Sequence, residues 1–188
     1  MLADYDIIRA INNREISLSP YDPDLVQPSS IDVCLDYRFL VPDSNGGPVD
    51  PRRASHSWAV EVPQGQPFEL GPGDFVLGST YEKLTLDERI AARLEGKSSL
   101  GRLGLLTHAT AGFIDPGFSG NITLELANLS PKPLLLWPGM KIGQLCFFRL
   151  DSTPLRTYGD KAVGSHYQGQ QGPTESRSWD GFELIDVY

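Results

Sequence analysis

The stretch SGNITLELAN, Ser119 to Asn128, alternates apolar and polar side chains along most of its length. Ile122, Leu124 and Leu126 fall on one face of an extended chain, because successive side chains of a strand point to opposite sides. The pattern therefore predicts a strand that packs one face against a core. Glu125 falls on the other face, where a carboxylate is usually solvated, so the strand alone leaves its role open.

The rest of the chain consists mainly of short segments of the same kind. Its 19 glycines and 15 prolines are spread throughout the 188 residues. Short alternating segments between frequent turns predict an all-β sandwich or barrel, and this length predicts a single domain over residues 1–188. Residues 67–78 (PFELGPGDFVLG) and 133–144 (PLLLWPGMKIGQ) each read as strand, Pro-Gly turn, strand. We expect two hairpins in the paired sheets of a jelly roll, although the similarity of the segments could be chance.

Three segments depart from this pattern. DYDIIRAINNREI predicts a short N-terminal helix, with Asp4 as its N-cap and Ile7, Ile8 and Ile11 at helical spacing. LTLDERIAARLEGKSS fits either a helix capped by Asp87 or an exposed strand. The tail over residues 158–188 is rich in Gly, Gln and Ser. It is either a disordered terminus or a lid that orders over a ligand.

Charge and composition narrow the classes of function. The net charge of −8 argues against a nucleic-acid polymer as partner but leaves room for one small phosphorylated ligand. The acidic N-terminus does not resemble a signal peptide, and the apolar runs are shorter than the roughly 20 residues of a membrane span. Cys34 and Cys146 lack metal-ligand spacing, so we expect reduced core residues. Together these features predict a soluble, cytoplasmic protein without a membrane partner.

Several local motifs could carry chemistry. EGKSSLGRLG is not a Walker A loop, because position 91 is alanine where that motif requires glycine. If Ser98 and Ser99 cap a short helix, its N-terminus can receive an anion, with Arg102 one turn beyond Ser98. GFIDPGFSG places Asp115 in a turn, and Gln144 can both donate and accept hydrogen bonds. Each motif also has an ordinary structural interpretation, as a capped helix with a surface arginine or as a plain turn.

Two common hydrolytic devices are missing from the sequence. The three histidines and two cysteines do not form the His/Cys and Cys-x-x-Cys arrangement of the zinc deaminases. The chain also lacks the G-x-S-x-G nucleophile elbow. Any hydrolysis would therefore use carboxylates, an activated water and a bound magnesium ion.

Four segments, taken together and in order, resemble the dCTP deaminase branch of the dUTPase-like superfamily. They are LVQPSSIDVCLD, LEGKSSLGRLGLLTHATAGFIDPGFSGNITLELAN, LWPGMKIGQLCF and YQGQQGPTESR. The resemblance covers most of the chain. It implies a distorted jelly-roll β-sandwich that assembles as a homotrimer with nucleotide sites between subunits.

The resemblance also assigns roles to individual residues. Glu125 would be the general acid/base, taking a proton from the water that attacks C4 of cytosine and delivering protons to N3 and the departing ammonia. A carboxylate in a confined site can perform this chemistry. Ser98 and Arg102 would support the tetrahedral intermediate, with the Ala111 carbonyl as a further acceptor. The residues implied in substrate binding are Lys97, Ser98, Ser99, Leu100, Gly101, Arg102, Asp115, Thr123, Leu124, Glu125, Gln144, Tyr158, His166 and Gln170. Mg²⁺ would accompany the triphosphate, and neither zinc nor a protein-held metal is expected.

The stretch TAGFIDPGF, with Gly112 and Phe113, resembles the bifunctional branch of the family. Such enzymes also cleave the triphosphate, giving dUMP and pyrophosphate. Asp115 would then orient the second water, and we hypothesise that a small residue at position 112 leaves room for both waters. The family also implies dUTP as a substrate and dTTP as a possible inhibitor.

Other functions remain open at this point. The nearest is a deaminase that stops at dUTP, and another is a nucleotide- or sugar-binding jelly roll without catalysis. A dUTPase without deaminase activity is disfavoured, because the tail lacks the Gly-rich closing motif expected of that branch.

Two positions depart from the family pattern. SSIDVCL has Cys34 where the pattern has arginine, which removes one cation. SHYQGQ has His166 where the pattern has lysine. Histidine carries a positive charge only while protonated, so we expect nucleotide affinity to fall as the pH rises.

Overall fold

The computed structural model describes residues 1–45 and 47–185, and in this part of the chain strands predominate. The two α-helices are α1 (Asp4–Asn12) and α2 (Ser98–Gly101). The strands are β1 (Ile16–Ser19), β2 (Val26–Gln27), β3 (Ser30–Cys34), β4 (Arg38–Pro42), β5 (Ser57–Glu61), β6 (Phe68–Leu70), β7 (Phe75–Leu86), β8 (Ile90–Gly96), β9 (Leu105–Leu106), β10 (Phe113–Ile114), β11 (Ser119–Asn128), β12 (Leu134–Leu136) and β13 (Lys141–Arg149). The prediction of an all-β fold with a short N-terminal helix is confirmed.

The strands form two main sheets and one small one. The first sheet has the order β5-β4-β7-β11-β9, with β1 also pairing with β7. The second has the order β10-β8-β13-β3-β2, and β12 pairs with β6. Every one of these pairings is antiparallel. A continuous apolar core is built from inward-facing residues of both main sheets, as in a jelly-roll sandwich.

SGNITLELAN forms the ten-residue strand β11 in the first sheet. Ile122, Leu124 and Leu126 are buried in the core, whereas Glu125 is half-buried on the outer face. The alternation therefore gave the correct face for every one of these side chains.

The two Pro-Gly segments do not form hairpins, which corrects that expectation. Each is strand, turn, strand as predicted, but β6 pairs with β12, while β7 pairs with β11 and β13 pairs with β8. Gly73 and Gly139 hold φ angles of 80° and 85° in the two turns, a conformation that glycine adopts without strain. Each turn thus sends the chain from the small sheet into one of the main sheets.

The structure corrects the predicted N-cap of α1 and decides between the helix and strand alternatives for the segment LTLDERIAARLEGKSS. The N-cap of α1 is Ala3 and not Asp4, whose carboxylate instead accepts a hydrogen bond from the Tyr5 N–H at 2.7 Å. The ambiguous segment LTLDERIAARLEGKSS forms the end of β7, a turn and β8. Pairing of β8 with β13 along its whole length explains why the strand alternative prevails.

Cys34 and Cys146 are free thiols, as predicted, but each is half-buried and neither lies fully inside the core. Burial raises the pKa of Cys34 to about 12, and the neighbouring Glu82 carboxylate adds to this effect. Of the residues described, neither helix has the length and apolar character that crossing a membrane requires.

Candidate active site

A cavity of about 780 Å³ lies beside Glu125. Its walls come from the loop between β4 and β5, the start of β7, residues 111–118, strand β11 and the tail. The predicted site residues that line it are Ala111, Phe113, Asp115, Thr123, Glu125, Tyr158 and Gln170. The fold therefore brings together residues from three separate parts of the chain.

Glu125 is held in place by the segment that precedes Ala111. Its Oε2 atom accepts a hydrogen bond from the Ala109 N–H at 2.9 Å, and its cross-strand neighbour on β7 is Leu77. One carboxylate oxygen is thus anchored to the backbone beside the cavity. A half-buried carboxylate held in this way is suited to proton transfer.

Gly112 packs against β8 and does not line the cavity. Its carbonyl accepts a hydrogen bond from the Leu94 N–H at 2.8 Å. A Cβ at this position would lie 2.7 Å from the Leu94 carbonyl oxygen and 3.1 Å from Cε1 of His108. The close approach of two backbone segments therefore explains the glycine, and this reason differs from the hypothesis of room for two waters.

The described part of the tail, residues 158–185, returns across the beginning of β11. The Gly169 N–H donates to the Ser119 carbonyl at 2.7 Å, and the Thr174 N–H donates to Thr123 Oγ1 at 3.2 Å. This arrangement fits the lid alternative. Residues 186–188 of the predicted lid lie outside the described residues.

Two tyrosines of the tail are linked at the cavity wall. The Tyr158 hydroxyl accepts a hydrogen bond from the Tyr167 N–H at 3.1 Å, and the Tyr167 hydroxyl accepts one from the Arg177 N–H at 3.0 Å. Burial raises the pKa of Tyr158, so its hydroxyl stays protonated at neutral pH. Both rings line the cavity.

The segment KSSLGR lies outside this cavity. Lys97 is the N-cap of α2 and no side chain caps the helix, so the expectation that Ser98 and Ser99 cap it is wrong. The reason is that the helix begins at Ser98 itself and is only four residues long. Ser98 and Arg102 are one turn apart, as predicted, and the side chains of Ser98, Ser99 and Arg102 are exposed.

Other predicted residues lie on the second sheet, next to strand β3. Lys97 Nζ donates to Asp32 Oδ1 at 2.6 Å, and Lys141 Nζ lies 3.4 Å from Asp32 Oδ2. Gln144 Oε1 accepts a hydrogen bond from Ser30 Oγ at 2.9 Å. The predicted residues thus fall into two groups within one chain, one at the cavity and one around α2 and β3.

Two further predicted residues belong to neither group. The Leu124 side chain is fully buried in the core, so only its backbone is available to a ligand. His166 lies in the tail, with its Nδ1 atom 4.0 Å from an Asp180 carboxylate oxygen, and its carbonyl accepts a hydrogen bond from Arg177. It does not line the cavity.

Sequence reasoning missed one wall of the cavity entirely. This wall is formed by residues of the loop between β4 and β5, among them Asp50, Arg53 and His56. The loop sequence PDSNGGPVDPRRASHS has neither strand nor helix periodicity and matches no ligand motif. Tyr167, Thr174 and Ser176 of the tail were also missed, although all three lie within the segment YQGQQGPTESR.

No group of three or more His, Cys, Asp or Glu side chains is placed to hold a metal ion anywhere in residues 1–45 and 47–185.

Comparison with known proteins then decides the family. A family model described as dCTP deaminase-like matches residues 1–150. This chain belongs to the dCTP deaminase-like family.

Curated relatives of this family match along the whole chain. A protein of Salinispora tropica named "dCTP deaminase, dUMP-forming" is 57% identical over 185 residues, which cover 97% of this chain and 96% of the relative. A protein of the same name from a Nocardioides species is 57% identical over 190 residues and covers all of both chains. A third, from Corynebacterium diphtheriae, is 56% identical over 185 residues, covering 97% of this chain and 99% of the relative.

A solved structure supports the fold of this family member. The 2′-deoxycytidine 5′-triphosphate deaminase from Agrobacterium tumefaciens matches with a TM-score of 0.60 and 24% sequence identity. The match covers 78% of this chain but only 47% of the solved chain, so this chain spans less than half of that protein.

Proposed function

We propose that this protein is a dCTP deaminase that forms dUMP. The observation that carries the proposal is the cavity beside Glu125, which gathers Ala111, Asp115, Thr123, Tyr158 and Gln170 around one carboxylate. All but Tyr158 lie in the segments of the chain that resemble the family. The full-length relatives named as dUMP-forming support the same function.

The first reaction is hydrolysis at C4 of cytosine. Glu125 takes a proton from water, the oxygen of that water bonds to C4, and the C4–N4 bond breaks after N3 and the amino group have been protonated. Ammonia leaves and a uracil ring remains, so the protein is a hydrolase acting on a cyclic amidine. The hydrogen bond from Ala109 supports this role, because it occupies one carboxylate oxygen and orients the other.

A second copy of the chain completes the site in this proposal. Ser98 and Arg102, which would hold the tetrahedral intermediate, are exposed and do not line the cavity of their own chain. The sheet face that carries Glu125 also exposes Phe75 and Leu106, on either side of Ala127 in register. Exposed apolar side chains on one face are typical of an interface, which supports contact between copies of the chain; the resemblance to the family supplies the proposal of a homotrimer with sites between subunits.

The second reaction cleaves the triphosphate between the α- and β-phosphates, releasing dUMP and pyrophosphate. Lys97 and the exposed segment KSSLGR would bind the phosphates, and Asp115 would orient the second water. Mg²⁺ enters as part of the substrate, because triphosphate oxygens are the hard ligands that this ion prefers. The same site would accept dUTP, and dTTP would compete there as an inhibitor. The protein would act in the cytoplasm.

Product analysis tests this function directly. The protein is incubated with dCTP and magnesium, and nucleotides, pyrophosphate and ammonia are quantified over time. Equal amounts of dUMP, pyrophosphate and ammonia are expected. Accumulation of dUTP would instead indicate a deaminase that stops there, and thermal stabilisation by dCTP without any product would indicate a non-catalytic binding protein.

A further inference from the structure

Asn121 occupies an irregularity between two paired strands. In the pairing of β11 with β7, Asn121 lies opposite Lys83 but Thr123 lies opposite Ser79, so β7 contains extra residues at this point. Such a bulge leaves backbone groups without their regular partners. The Asn121 side chain, which is buried, supplies partners by donating from Nδ2 to the Thr80 carbonyl at 3.0 Å and to the Tyr81 carbonyl at 3.3 Å.

The same residue holds the tail on its other side. Asn121 Oδ1 accepts a hydrogen bond from the Gly172 N–H at 3.1 Å. Its backbone N–H donates to the Gln170 carbonyl at 3.1 Å, and its carbonyl accepts from Gln170 Nε2 at 2.6 Å. Both donor hydrogens of the Asn121 side-chain amide are therefore used on the sheet, and its oxygen accepts from the tail.

Gln170 connects this contact to the cavity. It lines the cavity beside Glu125, and its Oε1 atom is buried with no hydrogen-bond partner in the described structure. Because Nε2 donates to the Asn121 carbonyl at 2.6 Å, the orientation of the amide is fixed, and Oε1 stays without a partner. A buried acceptor without a partner is costly, so a ligand that donates to it gains free energy.

We propose that Asn121 is a positioning residue of the active site, which docks the tail and orients Gln170 to accept a hydrogen bond from the bound nucleotide. This inference rests on the proposed function. The donor on the nucleotide is either a sugar hydroxyl or the 4-amino group of cytosine. Asn121 does not touch the nucleotide itself and acts through Gln170 and Gly172.

The variant Asn121→Ala tests the proposal. The variant keeps the backbone hydrogen bonds to Gln170 but loses the side-chain bonds to Gly172, Thr80 and Tyr81 that hold the tail and the bulge together. KM for dCTP should therefore rise about tenfold with a smaller change in kcat, since each hydrogen bond contributes on the order of 1 kcal/mol.

Trypsin cleavage after Arg177 or Lys161 in the tail of this variant should become faster, because proteolysis follows the population of the undocked state. A rise in KM for dUTP as well would assign the sugar hydroxyl as donor, and a rise for dCTP alone would assign the amino group.

Thr80→Val is the matched control. Thr80 Oγ1 satisfies the same bulge, accepting from the Ile122 N–H at 3.0 Å and donating to the Glu82 carbonyl at 2.8 Å, but it makes no hydrogen bond to the described part of the tail. This variant should lower the melting temperature while KM and the cleavage rate stay at wild-type values. An equal rise in KM in both variants would overturn the proposal, as would wild-type KM and cleavage in Asn121→Ala.

The proteolysis readout separates this inference from the proposed function. If the wild-type protein releases no ammonia from dCTP, the proposed function fails. Faster cleavage in Asn121→Ala, with unchanged cleavage in Thr80→Val, would still establish Asn121 as the docking residue of the tail.

Discussion

One carboxylate oxygen of Glu125 accepts a hydrogen bond from Ala109, the other has no partner among the described residues, and the proposed chemistry needs both. Glu125→Gln keeps an oxygen that can accept from the Ala109 N–H at this position, but an amide cannot take up the proton of water. We expect ammonia release from dCTP to fall by about 100-fold or more. Nucleotide binding, measured by thermal stabilisation, should persist. Turnover close to that of the wild type would contradict the assignment of Glu125.

Glu82 is a buried carboxylate without a basic partner among the described residues. It is 4% exposed, and its Oε2 accepts a hydrogen bond from the Cys34 N–H at 2.9 Å. Burial raises the pKa of Glu82 above its ordinary value of 4.5, and the hydrogen bonds from Cys34 and its own backbone oppose this only in part. The pKa of Glu82 is higher in the folded state than in the unfolded state, so protonation of Glu82 stabilises the folded state. This stabilisation is complete below pH 4.5 and is lost as the pH rises through the folded-state pKa.

The arginine that the family pattern has at position 34 would supply the missing cation. We expect Cys34→Arg to increase the free energy of unfolding at pH 7 by on the order of 1–3 kcal/mol, because it pairs a buried charge. The gain should shrink as the pH is lowered and Glu82 becomes protonated. Urea unfolding at pH 7 and over a series of lower pH values measures it.

Glu82→Gln provides the control for this pair. In that background, Cys34→Arg should bring no gain in stability, since the carboxylate is gone. The same gain in both backgrounds would show that the arginine acts in some other way.

At the scale of elements, the tail depends on glycines that differ in their surroundings. Gly172 has a φ of 70°, and a Cβ there would lie 2.9 Å from Cζ of Arg38. Gly164 has a φ of 69° in the same tail, but a Cβ there would meet nothing within 4 Å. Both positions favour glycine for backbone reasons, and only Gly172 packs closely against the body of the protein.

Gly172→Ala should therefore weaken tail docking more than Gly164→Ala does. We expect a several-fold higher KM for dCTP and faster trypsin cleavage in the tail for Gly172→Ala, because Asp36 holds the Arg38 guanidinium by an ion pair and the added methyl group must shift either that pair or the tail. Gly164→Ala measures the backbone strain alone. Equal effects of the two variants would mean that the contact with Arg38 is unimportant.

The elements also show where sequence reasoning succeeds. Strand β11 was predictable because alternation is local and one of its faces is buried. The pairing of β6 with β12 was not, because both Pro-Gly segments carry the same local signal whether they pair internally or with each other. The docking role of Asn121 was also hidden, since it arises from a bulge that only the partner strand reveals.

For the whole molecule, two groups of predicted residues stay apart within one chain. Glu125 and Asp115, which were predicted from the short segments around them, both line one cavity. The wall formed by the loop between β4 and β5 could not be predicted. The loop sequence has no strand or helix periodicity, and only the folded chain shows that it lies beside Glu125. The separation of Arg102 from this cavity leads to a prediction about the assembly.

If neighbouring subunits contribute Glu125 and Arg102 to one site, two inactive variants should restore each other. Glu125→Gln and Arg102→Ala are unfolded together, refolded in equal amounts and assayed for ammonia release. About one quarter of the sites should be intact, because each needs one native residue from each type of neighbour in a cyclic trimer. Each variant refolded alone serves as the control. Mixed oligomers without recovered activity would place both residues of a site in the same subunit.

The contact between the tail and β11 also bears on solubility. Strand β9 pairs with β11 only at Ala127 and Asn128, so the beginning of β11 is an open sheet edge that the tail covers with backbone hydrogen bonds. An uncovered edge offers unpaired N–H and carbonyl groups to any extended chain. Each opening of the site for nucleotide exchange therefore exposes a strand edge, and the tail acts as a shield against self-association as well as a cover for the nucleotide.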